Sequence, residues 1–246
     1  MNKDFEINIA HLYPELLDVY SDFGNISTIK KRLEWRGIKV NIDRISATTN
    51  VIEYSKYDFF LIGGGQEKQQ PDVAKLLLKH SSDFKKLADD GITMLAICGG
   101  YELLGNYCQN SHGQKYDGLG IFDAYTMTEN KRMTGNTTIE TNFLTPNTIV
   151  GFTNHNSETY LGSNCKPLGK VLLGHGNNKK DKTEGAIYNN VFGTYLHGPL
   201  LPQNPMFTDY LLQIIIRQKL NDNNYLLPVL DAKLELLAHK NMLKRP

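Results

Sequence analysis

The chain has 246 residues, with 27 basic against 26 acidic side chains, a formal net charge of +1 and 40% hydrophobic residues. That is the composition of a soluble globular protein with enough apolar side chains for a substantial core. A near-neutral chain without a dense basic block gives no reason to expect nucleic acid as a partner. No apolar run approaches the roughly 20 residues of a membrane helix, so no membrane insertion is expected. The three lysines between Asn177 and Lys182 are expected in a solvated loop. Asp4 and Glu6 interrupt any apolar signal core, which makes the cytoplasm the expected compartment. The three cysteines, Cys98, Cys108 and Cys165, are too few for a disulfide frame and are expected as free thiols.

In chain order, Phe5 to Leu12 alternates apolar and polar residues and predicts a strand. Tyr20 to Asn25 is rich in turn residues. Ile26 to Trp35 predicts a helix that stops at Gly37, and Ile38 to Ile45 predicts a second strand. Phe59 to Ile62 is wholly apolar, as a strand buried on both faces is, and runs into Gly63-Gly64-Gly65. Helices are predicted over Val73 to His80 and Asp83 to Asp90, and another buried strand over Ile92 to Ile97. Tyr101 to Cys108 predicts a helix behind Cys98. Tyr125 to Thr128 and Thr137 to Thr141 predict antiparallel strands at the edge of the sheet. Ile187 to Tyr188 and Phe192 to Leu196 predict the last strands, and Phe207 to Lys219 and Asp231 to Leu243 the closing helices. The repeated alternation of strand and helix implies one α/β domain spanning residues 1–246. Its expected form is an open, mostly parallel twisted sheet with helices on both faces.

The chemistry concentrates at Ile97-Cys98-Gly99-Gly100. A buried strand delivers a cysteine to a sharp turn that opens a helix. Such a turn strains the backbone at the nucleophile, and small neighbours are needed to avoid clashes. The helix start favours the thiolate and offers N–H groups to an oxyanion. A lone free cysteine is more often a small buried hydrophobe, and that reading is kept for Cys108 and Cys165. Cys108 and His112 stand four residues apart and could share a helix face, but two ligands do not make a metal site. None is expected.

Phe192 to Pro199 repeats the arrangement, with a short β-rich run ending in His197-Gly198-Pro199. This places His197 at the same C-terminal sheet edge as Cys98, where open α/β sheets bind ligands, and the two suit a nucleophile–base pair. His11, His80, His112, His175 and His239 are taken as surface or satisfied core residues. Gly63, Gly64 and Gly65 end the middle strand and could point N–H groups at a developing negative charge, although a glycine triplet is also a plain turn.

Cys98-Gly99-Gly100-Tyr101 with Leu103-Leu104-Gly105, together with Tyr195-Leu196-His197-Gly198, resembles the cobyric-acid-synthase-type (CobB/CobQ-like) branch of the class I glutamine amidotransferases. Tyr20 to Asn25 and Gly63 to Gln66 make the chain similar, within that branch, to the GatD-type subunits of lipid II isoglutaminyl synthase. The resemblance implies a flavodoxin-like fold and hydrolysis of L-glutamine by Cys98 and His197, with Gly99 and the glycine loop on the oxyanion. It implies that ammonia passes to a Mur-ligase-like (MurT-type) partner in a heterodimer, for amidation of the D-glutamate α-carboxyl of lipid II. No cofactor is implied for this chain; ATP belongs to the partner. An arginine after the nucleophile helix binds substrate in such proteins, and Arg132 is the matching position, though it suits a surface strand equally well. A guanidinium there would grip the glutamine α-carboxylate bidentately.

The wider class I pattern has a glutamate two residues after the histidine; here that position is Pro199. Another residue or the partner would have to orient the imidazole, or the pair works as a dyad. His155-Asn156-Ser157, expected in a turn after a strand, could line the site. Three rivals remain open at this level: a cobyric-acid-type amidotransferase subunit with another synthetase, a non-catalytic, regulatory domain of the same fold, and a DJ-1-like protein with a strand-end cysteine, which leaves Tyr195-Leu196-His197-Gly198 unexplained.

Overall fold

Buried β-runs and amphipathic helices alternate through the first hundred residues. The structure is a computed structural model that describes residues 5–17, 23–49 and 51–244. In chain order β1 (Glu6–Leu12), α1 (Phe23–Glu34), β2 (Lys39–Ile45), β3 (Phe59–Ile62), α2 (Gln70–Leu78), α3 (Ser81–Asp89) and β4 (Thr93–Ile97) follow one another. Tyr20 to Asp22 of the expected turn lie outside the described residues. Phe23 to Asn25 open α1 rather than a turn. Gly37 ends that helix at φ +71°, letting the Ile38 N–H reach back to the Leu33 carbonyl.

The Cys98 helix is shorter than expected. It is α4 (Gly99–Leu103), five residues long, and the chain then enters β5 (Tyr107–Gln109). Cys108 therefore lies in a strand and His112 in a turn, so the two share no helix face. Tyr107 and Cys108, aromatic and small, suit a pleated surface better than a continued helix. Beyond come β6 (Lys115–Asp117), β7 (Ala124–Glu140), β8 (Thr148–Leu161), β9 (Gly169–Leu173), β10 (Thr183–Glu184), β11 (Ala186–Tyr188), β12 (Val191–Thr194), α5 (Leu200–Gln203), α6 (Pro205–Leu220) and α7 (Lys233–Met242).

The first sheet has the order β11-β12-β4-β3-β1-β2. Its pairings are parallel except for β11 on β12. Period two divides its side chains between two cores. Ile7, Ile9, Phe59, Leu61, Leu95 and Ile97 face α1 and α6, where Ile26, Ile29, Leu33, Phe207, Leu211 and Ile215 cover them. Phe60, Ile62, Met94 and Ala96 face α2, α3 and α4 through Val73, Leu77, Phe84 and Tyr101. Each such large side chain contributes about 1.5–3 kcal/mol, an upper figure because the unfolded chain is not fully extended. Cys98 packs against both cores, at the end of the sheet where they meet.

The threonine-rich segments depart from expectation. They do not edge this sheet but form a second one, in the order β10-β9-β7-β5-β6, with β8 also paired to β7. It is antiparallel apart from β5 on β7. Its longest strands, β7 and β8, are an antiparallel pair broken by a bulge between Thr128 and Met133. His155 to Ser157 lie inside β8, not in a turn after a strand. The His197 backbone joins the two sheets, exchanging N–H···O bonds of 2.9 and 3.1 Å with Phe152 of β8.

Among the described residues no helix is long and apolar enough to cross a membrane.

Candidate active site

Cys98 stands between β4 and α4 with φ +50° and ψ −112°. That backbone region is costly for a residue with a Cβ, and it persists only where surroundings over-determine it. They do so here. The Cys98 N–H donates to the Thr194 carbonyl at 2.8 Å, and the Cys98 carbonyl accepts the Glu102 N–H at 3.0 Å. The Gly100 N–H donates to Gly63 O at 3.1 Å.

The glycines are there for space. A Cβ on Gly100 would stand 2.6 Å from Ile62 O and 2.8 Å from Gly63 O. One on Gly99 would stand 2.8 Å from Gln70 Nε2 and 3.2 Å from the Gly65 nitrogen. The elbow after β4 and the glycine loop after β3 are therefore pressed together, backbone to backbone.

Beside the elbow is a cleft of about 370 Å³ lined by Cys98, Arg132, Glu102, Gln70 and Gly65, and by Gln66, Glu67 and Asn154 to Ser157. Arg132 reaches it because of the β7 bulge. Thr128 pairs with Ser157 and Met133 with His155, so the residues between them loop out opposite Asn156. Its guanidinium is tethered to Asn154, through the side-chain oxygen and, at 3.3 Å, the carbonyl.

Of the sequence-derived candidates, Cys98, Arg132 and Gly65 line the cleft, and so do His155, Asn156 and Ser157. Gly63, Gly64 and Gly99 are not among its lining residues. His197 is 1% exposed and is not among the lining residues. It follows β12, whose Thr194 pairs with Ile97 of β4, so it leaves the sheet at the same edge as Cys98. Burial, and then the neighbouring Arg132 charge, push the His197 imidazole down to about 4. At neutral pH it is uncharged and able to accept a proton.

Sequence reasoning missed the buried polar cluster beneath the cleft. Glu102, one turn after Cys98, accepts from Gln70 Nε2 at 2.8 Å and from the Tyr195 hydroxyl at 3.0 Å. The Tyr116 hydroxyl holds Gln70 in turn, at 2.6 Å. Tyr195 also bonds Thr159 at 2.6 Å, and Thr159 bonds Thr126 at 2.7 Å. Burial raises the Glu102 carboxyl pKa against these bonds. The His155 ring stacks on Tyr195 with centroids 3.7 Å apart. Its Nδ1–H donates to Ser157 O at 2.8 Å, which leaves Nε2 as a buried acceptor without a protein donor. Burial pushes this imidazole down to about 3, so it too is neutral. The one sequence signal for this cluster was a glutamate in the apolar run behind Cys98.

Cys108 and Cys165 take no part in this site. Burial raises both thiols, Cys165 to about 11, which removes their reactivity. Among the described residues no group of three or more His, Cys, Asp or Glu side chains could hold a metal ion.

Comparison with known proteins gives the family and the fold. The CobB/CobQ-like glutamine amidotransferase domain matches residues 8–205. The "Lipid II isoglutaminyl synthase (glutamine-hydrolyzing) subunit GatD" of Staphylococcus aureus (strain N315) is 43% identical over 87% of this chain and 86% of its own length. The protein of the same name from Streptococcus pneumoniae (strain ATCC BAA-255 / R6) is 38% identical over 89% and 84%. A cobyric acid synthase of Clostridium botulinum (strain Kyoto / Type A2) is 30% identical over 61% of this chain but only 32% of its own length. Among solved structures, one described as a glutamine amidotransferase superposes with a TM-score of 0.58 at 15% identity, covering 84% of this chain and 98% of that one. A Thermotoga maritima glutamine amidotransferase gives 0.53 at 13% identity, covering 97% and 98%. At these identities the two structures speak to the fold alone.

Proposed function

Because the chain belongs to the CobB/CobQ-like glutamine amidotransferase family, we propose that it releases ammonia from L-glutamine with Cys98 as nucleophile and His197 as base. The observation that carries this reading is the strained Cys98 elbow, locked through its own N–H to Thr194, three residues before a buried neutral imidazole.

Glutamine enters the cleft with its α-carboxylate on Arg132 and its side-chain carboxamide at Cys98. His197 takes the thiol proton, and the sulfur attacks the carboxamide carbon. The Gly99 N–H and one from the Gly63 to Gly65 loop receive the oxyanion. Losing one such donor costs about 10²–10³ in rate. The C–N bond breaks as His197 returns the proton to the departing nitrogen, giving ammonia and a thioester. His197 then deprotonates water, whose attack releases glutamate and restores the thiol. Ammonia would be lost to solvent, so the reading includes a partner that consumes it. The names of the relatives favour a synthetase that amidates lipid II, and a Mur-ligase-like subunit that brings its own ATP fits that task. The acceptor is then the D-glutamate α-carboxyl of the stem peptide, and the compartment is the cytoplasm.

The test is glutamate release by the purified chain, alone and with that synthetase. Activity that the partner raises and Cys98→Ala abolishes is expected. Undiminished hydrolysis by Cys98→Ala would overturn the assignment.

A further inference from the structure

Glu184 is a carboxylate buried behind the Cys98–His197 edge that this mechanism leaves without a task. It ends the two-residue strand β10 and is 0% exposed. Its Oε1 accepts the Tyr195 N–H at 2.6 Å, and both its oxygens accept the Thr194 hydroxyl, at 3.1 and 3.0 Å. The same Thr194 hydroxyl accepts the Leu196 N–H at 3.0 Å, and the Thr194 carbonyl accepts the Cys98 N–H at 2.8 Å. One carboxylate thus gathers the chain at the point where β12 stops and Tyr195 to His197 begin.

The carboxylate is itself held. Asn177 brackets the next residue, accepting the Gly185 N–H at 2.9 Å and donating to the Gly185 carbonyl at 2.8 Å. Tyr101, on the nucleophile helix, donates its hydroxyl to Asn177 at 3.0 Å. Gly185 takes φ +66°, and a Cβ there would strike Gly193 O and Leu168. The bonds therefore run from α4 through Asn177 to the 184–185 turn, and from Glu184 through Thr194 back to Cys98. Burial lifts the Glu184 carboxyl to about 7, against the pull of these donors. A group buried at that cost, with its acceptors spent on backbone and hydroxyl donors, does more than fill space.

We propose that Glu184 is a positioning residue for the glutaminase reaction, fixing Thr194 to Leu196 so that His197 and the Cys98 elbow keep their mutual placement. This rests on the proposed function above. Glu184 is buried and is not among the residues lining the cleft, so its loss is expected to act on the chemical step rather than on glutamine binding. A displacement of about 1 Å between reacting groups costs ~10²-fold.

The experiment compares Glu184→Met, Glu184→Gln and Thr194→Val with the wild-type full chain. Glutamate release is normalised to the Cys98 that iodoacetamide alkylates, and the melting temperature is recorded for each. Glu184→Met and Thr194→Val are each expected to lower kcat per alkylatable Cys98 by ~10–10²-fold with KM for glutamine within about twofold. The double variant is expected to lose no more than the worse single one. Glu184→Gln keeps an amide oxygen for the Tyr195 N–H and is expected to recover part of the loss. If Glu184→Met does not fold, Thr194→Val and Glu184→Gln carry the same comparison. A lower melting temperature with kcat per alkylatable site unchanged would make Glu184 merely structural and overturn its role alone. Wild-type protein that releases no glutamate would overturn the proposed function and this role together.

Discussion

Tyr195→Phe removes one oxygen atom from the cluster beneath the cleft and leaves the ring, stacked on His155 at 3.7 Å, in place. That oxygen donates to Glu102 at 3.0 Å and bonds Thr159 at 2.6 Å. With its one proton committed to the carboxylate, it accepts from Thr159, whose own oxygen then accepts from Thr126. The hydroxyl chain runs in one direction and ends on Glu102. A hydrogen bond to a charged group is worth about 1.5–3 kcal/mol, and one between neutral groups about 1. Glu102 and Tyr195 are both buried, so water does not replace the lost donor. Tyr195→Phe is therefore expected to lose about 2 kcal/mol, and Thr159→Val, which spares the bond to Glu102, about half of that. Urea denaturation at pH 8 reads both, with an unchanged m-value confirming that the comparison concerns the folded state. Because Glu102 also lines the cleft, Tyr195→Phe should in addition raise KM for glutamine. A Tyr195→Phe protein within about 0.5 kcal/mol of wild type, the range of an ordinary surface change, would refute the directed chain. So would a Thr159→Val protein less stable than Tyr195→Phe.

Gly100→Ala forces a Cβ against two backbone oxygens, Ile62 O at 2.6 Å and Gly63 O at 2.8 Å. It should cost about 1–3 kcal/mol and open the elbow from the glycine loop, read as a lower melting temperature with loss of glutaminase activity. Arg132→Ala should raise KM for glutamine about 10–10²-fold with a smaller change in kcat. Since the Arg132 charge depresses His197, the same variant should move the basic group seen in the kcat/KM profile to higher pH. Glu184 gives a pH signature in stability. Its carboxyl, at about 7 when folded, lies above the ordinary carboxylate value of 4.5. Its contribution is therefore full below about pH 4.5 and lost as pH rises through 7, by about 3 kcal/mol. Glu184→Gln escapes that loss, so its stability relative to wild type should improve by that amount between pH 4.5 and 8, measured by urea denaturation. A pH-independent difference would mean that the carboxyl titrates normally.

The sequence by itself determined the parallel sheet and the two residues of the proposed reaction centre. Phe59 to Ile62 and, apart from Thr93, Ile92 to Ile97 are apolar on both faces, as buried parallel strands are; the first runs into Gly63 and the second through Cys98 into Gly99. Cys98 was legible for that same local reason, as it directly follows β4, and His197 from the β-rich run before it, although β12 stops at Thr194 and Tyr195 and Leu196 intervene. The second sheet was not legible in this way. Tyr125 to Thr128 and Thr137 to Thr141 alternate as any half-buried strand does, and alternation says that a strand exists without naming its neighbour. Only tertiary structure decided that β7 pairs with β8 over a bulge, which brings Arg132 to the cleft and puts His155 inside a strand. Helix length failed at Cys108 because pairing with β6 and β7 outweighed local preference. Glu102 and Glu184 were invisible as functional groups because a carboxylate's role depends on what surrounds it in space. Their donors come from residues up to 93 positions away in the chain, a separation no local pattern encodes.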